Sequence, residues 1–357
     1  MKKFFVSQLT YWNTHVNKRT MPWKGQKNAY KVWLSEIILQ QTRVQQALSY
    51  YNKFVQLYPQ ITDLAQARDD EVFKQWEGLG YYSRCRNLLH TARLITSNYS
   101  GIFPCTYDEI LKLKGIGPYT AAAIASFAYN LSYAVVDGNV YRVLSRYFGI
   151  DVAIDSTNGK KIFFKLANNC LDKNDPAGYN QAIMDFGATI CKPRLPLCQS
   201  CLLNKKCKAL KTGTVNQLPV KEKQLKKSNR WFYYFIFRFE DKILIRQRKA
   251  KDIWEQLFEF YLYEASAQIH WTEKKIEAWL EEQLDIFDYE VRSISSIFKQ
   301  QLTHQNISGQ FFEIKIQRLP ESLANLTTST QAELSGLAFP RFINQYFEVQ
   351  PFSFEII

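Results

Sequence analysis

The chain has 357 residues, 46% of them hydrophobic by type, and a formal net charge of +13 at pH 7. That length exceeds one ordinary core and implies two domains. The apolar runs are too short to span a membrane, and the start, MKKFFVSQLTYW, lacks the apolar core and small-residue cleavage site of an export signal, so a cytoplasmic location is expected.

The charge is segregated. Residues 1–230 carry 33 Lys and Arg against 15 Asp and Glu, whereas residues 231–357 carry 13 against 18. A basic excess confined to the first part favours a polyanion partner there, without separating DNA from RNA or an acidic membrane.

Residues 31–210 show helical periodicity, with glycine and proline mostly at breaks. A helix through VWLSEIILQQT sets Glu36 near Val32, Trp33 and Leu39 by i±3 and i−4 spacing. A carboxyl on that apolar face is desolvated, which raises its pKa and lets it keep a proton near neutral pH. A glutamate taken at random is more often solvated. Further on, LKGIGPYTAAAI holds Gly115, Ile116 and Gly117 ahead of Pro118, a residue suited to a first helical turn. Glycines there let backbone N–H groups approach an anion, although a lone G-x-G also reads as an ordinary turn. Asp137 follows in Asp137-Gly138-Asn139, a tripeptide equally suited to a turn or a cap.

The segment CKPRLPLCQSCLLNKKC places Cys191, Cys198, Cys201 and Cys207 at the spacing C-x6-C-x2-C-x5-C. Four thiolates this close can surround one metal centre, and disulfides are disfavoured without an export signal. The spacing favours a [4Fe–4S] cluster; tetrahedral zinc is the alternative. Cys85, Cys105 and Cys170 stand apart.

Next comes KTGTVNQLPVKEKQLKKSNR, polar and basic, which reads as a linker. The aromatic and β-branched run WFYYFIFRFEDKILIRQR predicts a hairpin turning near Glu240-Asp241. TEKKIEAWLEEQL predicts an amphipathic helix capped by Thr272. A helical domain at 1–212, a basic linker at 213–229 and an α+β domain at 230–357 are expected.

Four motifs stand in register: WLSEIILQQT, GLGYYSRCRNL, LKGIGPYTAAAI with VVDGNVYRVL, and the four-cysteine loop. Together they resemble the adenine DNA glycosylases, within the helix-hairpin-helix superfamily that includes endonuclease III. The resemblance runs from about Trp23 to Cys207, with a weaker tail beyond Trp231. It implies a mainly α helix-hairpin-helix glycosylase domain with an iron–sulfur cluster loop, followed by an α+β Nudix-like domain. It also implies a monomeric enzyme of bacterial base excision repair, nucleoid-associated, that removes adenine opposite 8-oxoguanine or guanine in double-stranded DNA.

The resemblance assigns roles as well. Glu36 is the acid that protonates the leaving adenine, Asp137 the electrostatic or covalent stabiliser of the sugar cation, and Tyr119 a positioning group. Trp23, Lys24, Leu39 and Gln181 resemble the adenine pocket, with Lys24 standing where an arginine is common. Gln41 and Tyr81 stand where the family wedges residues into the opened stack, and Gly115, Ile116 and Gly117 where it grips phosphate. Tyr119 replaces the lysine of relatives that also nick the backbone, and a phenol forms no Schiff base, so an intact abasic site is the expected product.

In the tail, DIWEQLFEF resembles the family's W-x-x-L-W-x-F segment, with Phe258 replacing the second tryptophan, and the RE-x2-EE run of a Nudix hydrolase is missing. FKQQLTHQ aligns with the loop that meets 8-oxoguanine, with Leu302-Thr303-His304 in place of the frequent Phe-Ser-His; Thr303 and His304 are the expected contacts. The alternatives are another mismatch glycosylase of the superfamily, such as a thymine enzyme, or a non-catalytic DNA-binding protein whose cluster senses redox state.

Overall fold

The structure is a computed structural model that describes residues 1–222, 227–249 and 251–350. The chain divides into two compact units, Met1–Gln66 with Arg86–Gln224, and Ala67–Cys85 with Leu225–Ile357. In chain order the first part is helical: α1 (Lys2–His15), α2 (Ala29–Leu39), α3 (Val44–Leu57), α4 (Ile61–Gln66), α5 (Asp69–Trp76), α6 (Tyr82–Asn98), α7 (Tyr107–Lys112), α8 (Pro118–Tyr129), α9 (Gly138–Phe148), α10 (Thr157–Cys170), α11 (Pro176–Thr189) and α12 (Lys208–Lys211). Among the described residues no helix is long and apolar enough to cross a membrane.

In the first unit, α2 is the buried helix. Asn28 caps it by accepting from the Lys31 N–H at 3.1 Å, and no glycine or proline interrupts it. Nine of its eleven residues are buried, so it is enclosed on every side and packs against α8 and α3. The N-terminus of α8 is set by Gly117 at the N-cap and Pro118 in the first turn. Asp137 caps α9, and Gly149, at φ +67°, ends it. Phe5, Leu9 and Trp12 of α1 close over Val140, Leu144 and Phe186 to form the core around α9 and α11.

Part of the span read as linker is packed. The Leu218 carbonyl accepts from Arg146 Nε at 3.0 Å, and the Val220 carbonyl accepts from the Ile154 N–H at 3.0 Å. Residues 223–226 of that span lie outside the described residues.

The second unit is built on a mixed sheet of β1 (Ser228–Phe239), β2 (Lys242–Gln247), β3 (Phe258–Glu259), β4 (Tyr261–Ala265), β5 (Tyr289–Ile294), β6 (Phe298–Gln301), β7 (Gln305–Ile316) and β8 (Thr327–Ser329). The main order is β3-β2-β1-β7-β5, with β4 on β1, β6 on β7 and β8 on β2. The hairpin expected at Glu240-Asp241 is present: Phe239 pairs with Lys242, and Glu240 takes a positive φ. Strands β1 and β7 run parallel, and a Cβ on Gly309 would sit 1.8 Å from the Phe232 carbonyl oxygen, so only glycine lets the two strands meet there. Phe232 to Arg238 are buried without alternation, as befits a central strand covered on both faces. The expected helix α13 (Glu273–Leu284) is capped by Thr272 and packs Ile276 and Leu280 onto Phe235 and Phe312. Two further helices, α14 (Gln331–Gly336) and α15 (Arg341–Val349), complete the unit, to which α5 also belongs. The fold is thus a helix-hairpin-helix domain followed by an α+β domain.

Candidate active site

Three side chains from three helices converge in the first unit. Glu36 lies mid-way along α2 and is only 7% exposed. Burial pushes its carboxyl up to about 7, a hydrogen bond from the Tyr119 hydroxyl pulls it back, and the charge of Asp137 raises it again. Tyr119 enters on the first turn of α8, and its phenol is held far above its ordinary pKa, first by burial and then by the charges of Glu36 and Asp137. It is therefore a neutral donor at any working pH. The Met184 sulfur lies 3.6 Å from the same hydroxyl.

Asp137 is the N-cap of α9. Its Oδ1 accepts from the Val140 N–H at 2.8 Å and its Oδ2 from Asn139 Nδ2 at 2.7 Å. Burial raises its pKa, while these two donors and the Arg142 charge pull it down. Capping orients the carboxylate, and the helix N-terminus favours its charge. Asn139 in turn accepts from Arg142 Nη2 at 2.8 Å, and Arg142 Nε donates to the Cys191 carbonyl at 2.7 Å. Side chains thus run unbroken from Asp137 to the first cysteine of the metal-type motif.

The remaining sequence candidates of this unit are spread around α2, α8 and α11. Trp23 stacks edge-on against Tyr51 of α3, with centroids 5.4 Å apart. Lys24 Nζ donates to the Arg19 carbonyl at 2.6 Å and pairs with Asp185 Oδ2 at 2.8 Å. Asp185, 1% exposed on α11, also holds Arg19 Nη1 at 2.6 Å and Asn17 Nδ2 at 3.0 Å. Gln181 is half-buried one turn earlier on the same helix, and Leu39 is half-buried at the end of α2. Gln41 follows α2, exposed and at φ +55°, a conformation that costs a non-glycine residue and is common at functional sites. In the glycine turn, Gly115 is at φ +80° and a Cβ there would press on Asn87 at 2.7 Å, so the fold demands glycine. A Cβ on Gly117 would meet nothing within 4 Å. The Ile116 N–H donates to the Leu113 carbonyl at 3.2 Å.

The chain is similar to known proteins. Residues 34–168 match the HhH-GPD superfamily of base excision DNA repair proteins, and residues 232–349 match the NUDIX domain. The adenine DNA glycosylase of Buchnera aphidicola subsp. Baizongia pistaciae is 38% identical over 72% of this chain and 73% of that protein. The enzyme of the Acyrthosiphon pisum subspecies is 36% identical over 77% and 80%. The chain belongs to the adenine DNA glycosylases. Among solved structures, a thermostable thymine-DNA glycosylase is 30% identical with a TM-score of 0.55, covering 59% of this chain and 97% of that one.

In this glycosylase Cys191, Cys198, Cys201 and Cys207 line one cavity together with Ile190 and Leu197. Among the described residues no three His, Cys, Asp or Glu side chains gather around the position of a single metal ion. Arg146, one turn beyond Arg142 on α9 and 3% exposed, borders the cavity. Its guanidinium donates to the carbonyls of Leu218, Lys192 and Pro193 and to Cys191 Sγ at 3.5 Å. Among the described residues this buried cation faces thiols and carbonyls but no carboxylate, a setting that suits an anionic group bound by four thiolates.

In the second unit of the glycosylase, a tight turn presents Tyr81. Gly78 and Gly80 supply positive φ, and the Gly80 carbonyl accepts from both Trp76 Nε1 and Arg84 Nη2 at 3.2 Å. Tyr81 itself is at φ +49° and 39% exposed, with the Arg84 guanidinium 5.6 Å from its ring centroid. The Tyr81 hydroxyl is hydrogen-bonded to the Thr303 hydroxyl. Thr303 and His304 lie in the three-residue loop that joins β6 to β7, with His304 exposed and its carbonyl accepting from the Ser228 N–H at 3.0 Å. Sequence reasoning passed over Asn139, Arg142, Arg146 and Asp185. For Asp185 a signal was present: a lone acid in the apolar helix YNQAIMDFGAT.

Proposed function

We propose that the enzyme removes adenine lying opposite 8-oxoguanine or guanine in double-stranded DNA and leaves an intact abasic site, acting as a monomer. The observation that carries the reading is the buried Glu36, with a pKa near 7, set against Tyr119 and Asp137. Adenine is a poor leaving anion, and an acid with this pKa is protonated often enough at neutral pH to donate to a ring nitrogen. Departure of the base builds positive charge on the sugar, and the capped Asp137 carboxylate offsets that charge beside the anomeric carbon. Tyr119 holds the two carboxyl groups in place, and water attacks the sugar. Lacking an amine, Tyr119 cannot form the Schiff base through which a backbone is cut.

The base must leave the duplex first, at a cost of a few kcal/mol. Gln41 and Tyr81 fill the vacated stack, and Trp23, Lys24, Leu39 and Gln181 enclose the adenine. The amides at Gly115 and Gly117 and the N-terminus of α8 hold a phosphate without reading sequence. Cys191, Cys198, Cys201 and Cys207 hold a [4Fe–4S] cluster, which supplies a fixed anionic centre that braces the loop against Arg146. Thr303 and His304 meet the base opposite the adenine.

The test is base release from duplexes carrying A opposite 8-oxoguanine, G, C or T, together with a T·G duplex. Adenine release fastest opposite 8-oxoguanine supports the reading. Thymine release from T·G in preference would replace it with a thymine mismatch enzyme, and no release from any duplex would leave a binding protein.

A further inference from the structure

Helix α5 and the turn after it lie in the first part of the sequence, yet they belong to the second unit. Two side chains tie the segment to residues far downstream. Glu77, the C-cap of α5, points its Oε1 at the start of α15, where it accepts from the Phe339 N–H at 2.9 Å and from Asn344 Nδ2 at 3.0 Å. The N-cap of α15 is Pro340, which makes no side-chain cap hydrogen bond. A carboxylate from another segment therefore ties the chain just ahead of α15 to the Asn344 side chain of its second turn, close to the helix end that favours an anion. Lys74, one turn before Glu77, donates to the Leu337 carbonyl at 2.9 Å and to Glu77 Oε2 at 2.8 Å. Leu337 is the C-cap of α14. The pair thus sets a cation at the carboxyl end of α14 and an anion at the amino end of α15, each on the favourable pole.

Glu77 stands four residues before Tyr81, at the mouth of the glycine turn. We propose that Glu77, with Lys74, is a latch that fixes the Tyr81 turn to the α14–α15 junction, so that this junction sets the position of Tyr81. Glu77 and Lys74 are positioning residues: they touch no substrate and act through the turn. The Tyr81–Thr303 hydroxyl pair is the other end of the same anchorage, so the turn is held at its base and at its tip. The consequence for catalysis rests on Tyr81 being a wedge, as proposed above. Loosening the latch lets the ring wander, and a misplaced wedge slows extrusion of the base without altering Glu36 or Asp137.

The experiment uses the full chain with its metal centre intact and compares Glu77→Ala, Glu77→Gln and Asn344→Ala, each with Tyr81 present and with Tyr81→Ala. Hydrogen exchange reads the amides of residues 78–82. Fluorescence of 2-aminopurine at the adenine position reads extrusion, and single-turnover kinetics read release. Glu77→Ala and Asn344→Ala should speed exchange in the turn and lower extrusion and release, each by roughly tenfold. Glu77→Gln should restore most of both, because its amide oxygen still accepts. With Tyr81→Ala, Glu77→Ala should add nothing further. Unchanged exchange in both alanine variants overturns the latch. Losses that multiply across the two Tyr81 backgrounds overturn its action through Tyr81 and leave Glu77 a part of the fold alone. Normal extrusion and release by Tyr81→Ala alone, with fast exchange in Glu77→Ala, would instead sink the wedge reading and, with it, the catalytic half of this proposal.

Discussion

Replacing Glu36 by glutamine should raise stability and abolish activity, and both effects should follow pH in a set direction. The carboxyl is 7% exposed, and its pKa stands at about 7 against an ordinary 4.5. The gap of about 2.5 units corresponds to about 3 kcal/mol, with burial as its largest cause and the Asp137 charge adding to it. A raised carboxyl binds its proton more tightly in the folded state. The stability it confers is therefore full below pH 4.5 and is lost as pH rises through about 7. Glutamine, isosteric and never charged, escapes that loss. Wild type and Glu36→Gln should unfold alike near pH 4.5, and the variant should be more stable by about 3 kcal/mol at pH 8, roughly 10 °C in melting temperature. Over the same range the wild-type single-turnover rate should fall about tenfold per pH unit above 7, as the protonated fraction falls. Melting scans and base release across pH 4.5–8.5 test both halves. An equal stability difference at pH 5 and pH 8, or release by the variant at near-normal rate, would refute the account of a buried, proton-holding acid.

Tyr119→Phe removes the hydrogen bond that lowers the Glu36 pKa, so the alkaline limb of the rate profile should move to higher pH; a limb that moves down would mean the hydroxyl does not donate to Glu36. Protein purified without oxygen should carry about four irons per chain and no stoichiometric zinc, as four thiolates and a buried arginine suit such a cluster, and Arg146→Met should lose iron faster to a chelator. The pair Thr303→Ala with His304→Ala should cost roughly 1–3 kcal/mol of preference for A opposite 8-oxoguanine over A opposite G. An unchanged ratio of single-turnover rates on those two duplexes would remove the loop from base recognition.

What sequence reasoning reaches here is what has a local cause. The β1–β2 hairpin follows from one turn between aromatic and β-branched runs, and α13 from a threonine cap and an apolar stripe. Asp137 is the instructive case. Its tripeptide reads as a turn or a cap, the resemblance makes it the carboxylate that stabilises the sugar cation, and the structure makes it a cap whose charge also acts on Glu36 and Tyr119. A cap does not compete with the proposed role, because the cap bond leaves the carboxylate in a fixed orientation.

What stayed illegible depends on partners far away in the chain. Asp185 carries the same local mark as Glu36, one acid in an apolar helix, and no residue near it in sequence tells the two apart. The difference is in what surrounds them. Asp185 is met by Asn17 and by the two cations Arg19 and Lys24. Glu36 is met by a neutral phenol and a second carboxylate, so its burial demands a proton. Lys74 and Glu77 mislead in the opposite direction. At i and i+3 they look like a solvated pair on a helix surface, worth little. Their partners are two helix ends more than 250 residues downstream, where the Leu337 carbonyl accepts from Lys74 and the Phe339 N–H donates to Glu77. A charge in this chain is therefore interpretable only once its counter-charge or helix pole is known, and that is a property of the fold rather than of any window of the sequence.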